Sequence, residues 1–577
     1  MYHFLIKCGI DTTKEEIMVN NKKWWMEEVI YEIYPQSFND TNDDGIGDIN
    51  GISEKLDYLH ELGITSIWIC PVFKSPLIDN GYDISDYQSI NQIFGDNNDL
   101  YNLIEKAKTY NIKILLDLVI NHTSDEHPWF KEALTNKESK YRDYYIFKSG
   151  DDNTPPNNWR SIFGGSAWEP VPGEEETYYL HTFHSKQPDL NWENPHLRQE
   201  IYDMINWWIE KGVYGFRIDS ITFIKKDQDY ASLPADGADN LSNIKNKTRN
   251  RPGISTLLSE LNEQTFNKYD VVTVGEAPGV SYDEFDEYIG KNGYFNMIFD
   301  FKYADIDVEN GSEWFRKTDW TYDEYIEKIK VSQETLQKYG WGANFIENHD
   351  QPRALSKLIQ DPQFKNDLGA KALAISYFFL RGTPFIYQGQ ELGLDNVNWT
   401  EISTYNDISS HDNYDRALLE GYSTQEAISF VQDRSRDNGR IPFPWTNEQY
   451  GGFSKKEPWL SMKEEYPEIN AANNSVLNFY KEMIHLRQNT IYKNTLIYGD
   501  IHFKDDTPSS VMAYTRSDDT NRLLVITNFN SNVQTIEIPS GDFKVLLNTH
   551  ETLKNEKNKI FLEPMQALVV DLGGRKK

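Results

Sequence analysis

Eight short apolar runs recur along the chain, at 29–34, 66–70, 113–119, 215–219, 270–276, 296–301, 343–350 and 383–389. They are apolar at successive positions rather than at alternate ones, which predicts strands covered on both faces, as in a parallel sheet. Helical periodicity fills the gaps, most clearly at 52–62, 99–110 and the Trp- and Ile-rich 197–211. Eight strand–helix units predict an α/β fold, the (β/α)8 TIM barrel. The pattern breaks at 121–191, which is rich in Pro, Gly, Trp and Tyr with strand signals such as 177–181. A connection that long normally folds and has a role, so a small domain inserted after strand 3 is expected. A second excursion, about 390–470, follows the eighth strand. From about 495 the period becomes two, at 510–514, 522–527, 543–547 and 567–571, with turn residues between. That alternation predicts a C-terminal antiparallel β-sandwich. The expected organisation is an N-terminal extension over 1–22, the barrel over 23–120 and 192–494, the insertion over 121–191 and the sandwich over 495–577. Met18 is a candidate start, because patterned sequence begins near Lys23.

Composition narrows the partners. The chain has 577 residues and a net charge of −32, which repels nucleic acid and anionic membranes but not a neutral substrate. No apolar run reaches the roughly 18 residues of a membrane span, and the apolar stretch near Met1 is too short for a signal peptide. Two cysteines, Cys8 and Cys70, make no disulfide framework and suit a reducing compartment. The expectation is a cytoplasmic protein. Its 15 Trp, 35 Tyr and 29 Phe include flat apolar rings suited to stacking on sugar faces.

One loop has the spacing of a cation site. Side-chain oxygens stand at Asp40, Asn42, Asp44 and Asp48, glycine at Gly45, and a backbone carbonyl at Ile46. Alternating oxygens around a glycine turn match a calcium loop, and a structural Ca²⁺ is expected. Gly51 stands where such loops carry a bidentate glutamate, and an Asp/Gly-rich turn is the rival reading. No organic cofactor is implied.

Polar residues gather at strand ends. Arg217 and Asp219 are two apart on one strand and share a face. An arginine there lowers the aspartate pKa and favours an ionised nucleophile; a purely structural ion pair is the alternative. Glu276, His349, Asp350, Asn121 and His122 close other strands, and Tyr82-Asp83 follow the second. In a barrel these ends face one mouth. Three acids at one mouth point to glycoside chemistry, in which one carboxylate attacks the anomeric carbon and one acid protonates the leaving oxygen. Asp219 fits the nucleophile, Glu276, with no cation adjacent in sequence, the acid, and Asp350 a carboxylate that binds sugar hydroxyls and helps keep Glu276 protonated.

Four segments carry a family resemblance: Asp117-Leu118-Val119-Ile120-Asn121-His122, Gly215-Phe216-Arg217-Ile218-Asp219, Val274-Gly275-Glu276-Ala277-Pro278-Gly279 and Asn348-His349-Asp350-Gln351-Pro352-Arg353. With them the chain resembles the α-amylase family of glycoside hydrolases from about 23 to 577. The resemblance implies a retaining mechanism with Asp219 as nucleophile, Glu276 as acid/base and Asp350 as transition-state stabiliser. It implies that Asp83, His122, Arg217 and His349 hold the first sugar, with Tyr82 stacked beneath it. Gln187-Pro188-Asp189-Leu190-Asn191 and Ser435-Arg436-Asp437-Asn438-Gly439-Arg440 are most similar to the oligo-1,6-glucosidase and α-glucosidase subgroup. That likeness places Arg436 on the terminal glucose and Arg440 towards the leaving sugar. It also implies release of one glucose at a time from the non-reducing end of short oligosaccharides, by a monomer. Three features depart from the pattern: Ser220 after the nucleophile, Ile441-Pro442-Phe443-Pro444-Trp445, and Glu347 two residues before His349. Ser220 leaves α-1,6, α-1,4 and sucrose linkages open. Sucrose isomerases share the acids but carry an Arg-rich loop after the sixth strand, whereas 303–310 here has no arginine. Trehalose-6-phosphate hydrolase, another relative, needs a basic pocket for its phosphate. Transporter heavy chains built on the same barrel need a membrane span.

Overall fold

The computed structural model describes residues 22–573, except 153, 310, 464, 466 and 467. The predicted N-terminal extension, Lys22 apart, and the candidate start at Met18 lie outside the described residues. Eight parallel strands close into a barrel: β1 (Ile30–Ile33), β2 (Ser66–Ile69), β3 (Lys113–Val119), β4 (Gly215–Asp219), β5 (Val272–Gly275), β6 (Met297–Phe299), β7 (Gly342–Asn344) and β8 (Thr383–Tyr387). Each strand pairs with the next in sequence, and β8 returns to β1. Nearly every strand residue is buried, as expected where helices cover the outside and side chains fill the inside. The helix Pro195–Glu210 shows why such covers form. Asn194 caps it, proline stands in its first turn, and Leu197, Ile201, Ile205 and Trp208 recur at helical spacing on the buried face. Asparagine caps and first-turn proline both favour helix starts.

Register sets the site. Arg217 lies opposite Asp117, and Ile218 opposite Gly275. Glu276 therefore emerges one step beyond β5, its N–H donating to the Ile218 carbonyl at 2.9 Å, beside Asp219. The predicted run 343–350 leaves the sheet after Asn344. Phe345 turns onto Phe299 and Phe301, with ring centroids 5.0 and 5.5 Å away, so residues 348–350 form a loop at the mouth rather than strand.

After β3 comes a small antiparallel sheet of Phe147–Ser149, Thr177–Leu180 and Trp168–Pro170. Its core includes Trp159, Trp168 and Leu180 but also Ile244, from beyond β4. A further pairing joins Trp159–Arg160 to Ser242–Asn243. The layer over the mouth is thus completed by the segment after β4. The excursion after β8 holds the helices Ile408–Leu419, Thr424–Arg434 and Asp437–Arg440, the last of which delivers Arg440 and follows Arg436.

The C-terminal strands form a five-stranded sheet (Asp500–Phe503, Val511–Ser517, Arg522–Asn528, Ala567–Asp571 and Lys544–Asn548, in that order) and a three-stranded one (Gln534–Glu537, Lys559–Leu562 and Lys554–Glu556). Alternation assigns the faces. Leu524 and Ile526 pack with Ile536 and Ile560 between the sheets, while Leu523 and Val525 join the barrel core. A one-residue slip would exchange the two sets.

Candidate active site

The mouth of the barrel holds a cavity of about 210 Å³, lined among others by Asp79, Tyr82, His122, Asp219, Ser220, Glu276, Asp350 and Arg436. That is below the roughly 300–1,000 Å³ of a drug-sized ligand pocket, and suits a small polar group. Phe163, Phe183, Phe223 and Phe301 also face it.

Arg217 organises the floor. It is 1% exposed; its Nη1 donates to Asp219 Oδ1 at 2.7 Å and Asp117 Oδ1 at 2.9 Å. Its Nη2 lies 2.9 Å from Glu276 Oε2. The Asp219 and Glu276 carboxylates therefore stand side by side on one planar fork. Glu276 has no cation adjacent in sequence, and Arg217, from the neighbouring strand, supplies one in space. Arg217 itself lies under the acids and is not among the residues that line the cavity. Ser220 turns into the left-handed region, φ +43°, which aims its N–H at Glu276 Oε2, 2.7 Å away. A non-glycine residue held there stores strain, a feature concentrated at functional sites.

The electrostatics also differ from the expectation. Burial pushes the Asp219 carboxyl well above the usual range; Arg217 opposes this, while Glu276, Asp117 and Asp350 add to it. One guanidinium faces three carboxylates, Asp117, Asp219 and Glu276, and cannot neutralise them all. Asp350 behaves oppositely. Burial alone would raise it, but His349, Arg436 and Arg440 override that and hold it well below the carboxylate range. Its Oδ1 meets Arg440 Nη2 at 2.9 Å and Arg436 Nη1 at 3.4 Å, and its Oδ2 lies 3.1 Å from His349 Nε2.

His349 is fully buried behind Tyr82, their rings parallel at 5.4 Å. Its Nδ1 donates to Glu32 Oε1 at 2.6 Å. Burial disfavours the imidazolium, yet Asp350 outweighs it and the pKa stands well above the ordinary histidine value. His349 thus orients Asp350 and Tyr82 from behind. Tyr82 lines the cavity, its hydroxyl donating to Asp117 Oδ2 at 3.0 Å. His122 lines it too, its Nε2 donating to the Tyr82 carbonyl at 3.0 Å; burial lowers its pKa, keeping it neutral.

Asp83 does not face the cavity. It is fully buried, and its oxygens accept from Ser75 Oγ at 2.9 Å, Ile78 N–H at 2.9 Å and Asp79 N–H at 3.1 Å, which ties down the preceding loop. Asp79 takes the place assigned to it. Its Oδ1 accepts from Arg436 Nη2 at 3.0 Å and its Oδ2 from Gln187 Nε2 at 3.1 Å. Arg436 is also fixed by Asp407, 2.7 Å away. Arg440 is fully buried and lies behind Asp350, donating through Nε to the His349 carbonyl at 3.0 Å. Sequence reading missed Asp79, Asp117 and Glu32.

Residues 32–498 match the alpha amylase catalytic-domain family, and residues 511–569 the alpha-amylase SusG C-terminal domain family. The chain belongs to the alpha-amylase family. It is 41% identical to the probable oligo-1,6-glucosidase 3 of Bacillus subtilis (strain 168), an alignment covering 95% of this chain and 99% of that one. Among solved structures it is similar to the isomaltulose synthase of Klebsiella sp. LX3, with a TM-score of 0.89 at 38% identity, covering 96% and 100% of the two chains. It is also similar to the trehalose-6-phosphate hydrolase of Bacillus licheniformis, with a TM-score of 0.86 at 37% identity and the same coverage.

In the loop after β1, oxygens alternate as expected but also order the loop itself. Asp40 Oδ2 accepts from Gly45 N–H and Ser454 Oγ, and Asp48 accepts from Thr41 and Gly51. Elsewhere, a Glu32 carboxylate oxygen, the Cys70 sulfur and a His349 ring nitrogen lie within 4.8 Å of one another under the floor of the site. Among the described residues no helix is long and apolar enough to cross a membrane.

Proposed function

We propose that the protein is a retaining α-glucosidase that removes one glucose at a time from the non-reducing end of short α-glucosides. The observation that carries this is the fork of Arg217 between Asp219 and Glu276, which brings the two carboxyls close together. A short separation, about 5–5.5 Å, marks double displacement rather than the wider inverting arrangement. Asp219 attacks the anomeric carbon as the bond to the leaving oxygen breaks, and Glu276, as the acid, delivers a proton to that oxygen. Glu276 then takes a proton from water, whose oxygen displaces Asp219 and restores the starting state with the α configuration kept. Asp350, held anionic by three cations, binds hydroxyls and stabilises the oxocarbenium-like charge that builds on the ring. The Asp79–Arg436 pair closes the far end of the cavity, which favours a terminal sugar over an internal one. The substrate names carried by the oligo-1,6-glucosidase relatives support an α-1,6 preference. Incubation with isomaltose, maltose and sucrose tests the reading. Glucose release by the wild type and its loss, by about four orders of magnitude, in Asp219→Asn are expected. No glucose from any of the three, or products other than the hydrolysed sugars, contradicts it.

We also propose that the Asp40–Asp48 loop binds a structural calcium. Asp40, Asn42, Asp44, Asp48 and the Ile46 carbonyl would hold it, an all-oxygen set that fits a hard cation. Gly45 supports the turn: at φ +93°, an added Cβ would meet the Glu457 carbonyl oxygen at 2.4 Å. We place the enzyme in the cytoplasm as a monomer. Cys70 is a buried free thiol, in keeping with a reducing compartment; fractionation and sizing columns check both points.

A further inference from the structure

Glu32 is the one carboxylate of β1, and the glucosidase chemistry gives it no part. It is 1% exposed, beneath the floor of the site, and a charge at that depth persists only where it is paired. Pairing with Trp68 on β2 and Tyr387 on β8 holds its backbone on both sides. Its Oε1 collects three donors: His349 Nδ1 at 2.6 Å, the His349 backbone N–H at 3.2 Å and the Cys70 thiol at 3.7 Å.

The other ring nitrogen faces the mouth. His349 Nε2 lies 2.6 Å from the Tyr82 hydroxyl and 3.1 Å from Asp350 Oδ2. Tyr82 gives its own proton to Asp117 Oδ2, 3.0 Å away, so towards His349 it accepts. Both ring nitrogens therefore donate, and only the imidazolium carries two N–H groups. Asp350 depends on the second of them. Its Oδ1 is held by Arg436 and Arg440, and its Oδ2 by His349, so the direction of this carboxylate is set from two sides.

The charged and titratable groups around the ring come from every neighbouring element. Glu32 stands on β1 and Tyr34 just beyond it, Cys70 and Tyr82 follow β2, Asp117 is on β3 and Arg217 on β4, Asp350 is next in sequence, and Arg440 binds the His349 carbonyl. Of these, Glu32 and Asp350 are the carboxylates in contact with a ring nitrogen. Burial pushes the Cys70 thiol up to about 12, so it stays neutral. Burial raises the Glu32 pKa, and His349 opposes that rise.

Resting on the glucosidase reading, we infer that Glu32 is a positioning residue for the reaction: from behind the His349 ring it keeps both ring nitrogens donating, and so fixes the Asp350 carboxylate against the sugar. The role belongs to its charge rather than its shape. Glutamine fills the same space and offers Nδ1 an oxygen, but a neutral one. The His349 pKa stands above the ordinary value with Glu32 in place; without that anion it falls, and the imidazolium is lost at a lower pH as pH rises.

The test is the pH profile of glucose release from the best substrate among isomaltose, maltose and sucrose. In Glu32→Gln the alkaline limb of kcat should move down by about one pH unit or more. At pH 7 its kcat should fall about tenfold or more with KM within about threefold, because Asp350 acts on charge that builds in the transition state. Glu32→Asp, which keeps the charge on a shorter stem, should retain more of kcat and of the alkaline limb. In a His349→Asn background the Glu32→Gln change should cost less than about threefold, since its effect runs through the ring. Nitrogen-15 NMR of the wild type, with the His349 ring assigned by its loss in His349→Asn, should show both ring nitrogens protonated at pH 7, a readout that needs no Glu32 variant to fold. An unmoved alkaline limb in Glu32→Gln, a larger loss in Glu32→Asp than in Glu32→Gln, an undiminished effect without His349, or a singly protonated ring overturns the inference and, with glucose still released by the wild type, leaves the glucosidase reading standing. No glucose from any substrate overturns both.

Discussion

Replacing Asp79 with asparagine separates binding from folding at a position where two nearby acids have different roles. In the variant, Arg436 loses one charged partner at 3.0 Å but keeps Asp407 at 2.7 Å, and asparagine still offers an oxygen to Gln187. Asp79 is buried, but the change strands no group, so the melting temperature should fall by less than in Asp83→Ala. Asp79 reaches the cavity, however, and a hydrogen bond from a sugar hydroxyl to a charged acceptor contributes about 1.5–3 kcal/mol. At about 1.4 kcal/mol per decade, kcat/KM should fall roughly 10- to 150-fold. Asp83→Ala should show the converse signature. It strands two buried N–H groups and one hydroxyl, each costing about 1–3 kcal/mol, set against relief of a buried carboxylate whose pKa is raised to about 6. A net loss of about 3 kcal/mol is expected, read as a fall of several degrees in calorimetry. Because the folded pKa of Asp83 lies above its unfolded value, wild type gains stability as pH falls from about 6 towards 4. The gap between the two proteins should thus be wider at pH 4 than at pH 7. Full kcat/KM in Asp79→Asn, with weakened binding in Asp83→Ala at an unchanged melting temperature, would refute the assignment.

Arg440→Gln removes one of three cations from Asp350. The depressed pKa of Asp350 contributes stability that is present above the unfolded value near 3.8 and is lost only as pH falls through the lower folded value. The variant should therefore unfold at a higher pH in an acid titration followed by circular dichroism, and an unmoved midpoint would count against the pairing. Chelation should lower the melting temperature if the Asp40–Asp48 loop holds calcium, and added Ca²⁺ should restore it; no change in either direction removes the metal from the account. Gly45→Ala should destabilise the fold by about 2 kcal/mol or more from backbone strain, with weakened calcium dependence as the second readout.

The barrel was legible because strands covered on both faces are apolar at successive positions, and all eight runs contain a strand. The end of β7 was not, since Phe345 and Ile346 are as apolar as a strand but pack across the mouth. Asp219 could be placed from its alternation with Arg217. The reach of Arg217 to Glu276 could not, because it depends on the register between β4 and β5. The choice between Asp79 and Asp83 also escaped, since both are acids in one loop and only tertiary hydrogen bonds distinguish the residue that ties the loop from the one that faces the cavity. Arg440 was drawn towards the leaving sugar by likeness to relatives, whereas burial behind Asp350 gives it a positioning role. The ionisation of the acid cluster was hidden for a related reason: burial and mutual repulsion, not one adjacent arginine, set the pKa of Asp219.

The sharpest test is the configuration of the first glucose released, followed by proton NMR before mutarotation scrambles it. With Asp219 and Glu276 held on one guanidinium, the α-anomer should appear first and convert slowly to the equilibrium mixture. Initial appearance of the β-anomer would mean direct attack by water and would contradict the double-displacement account at its base.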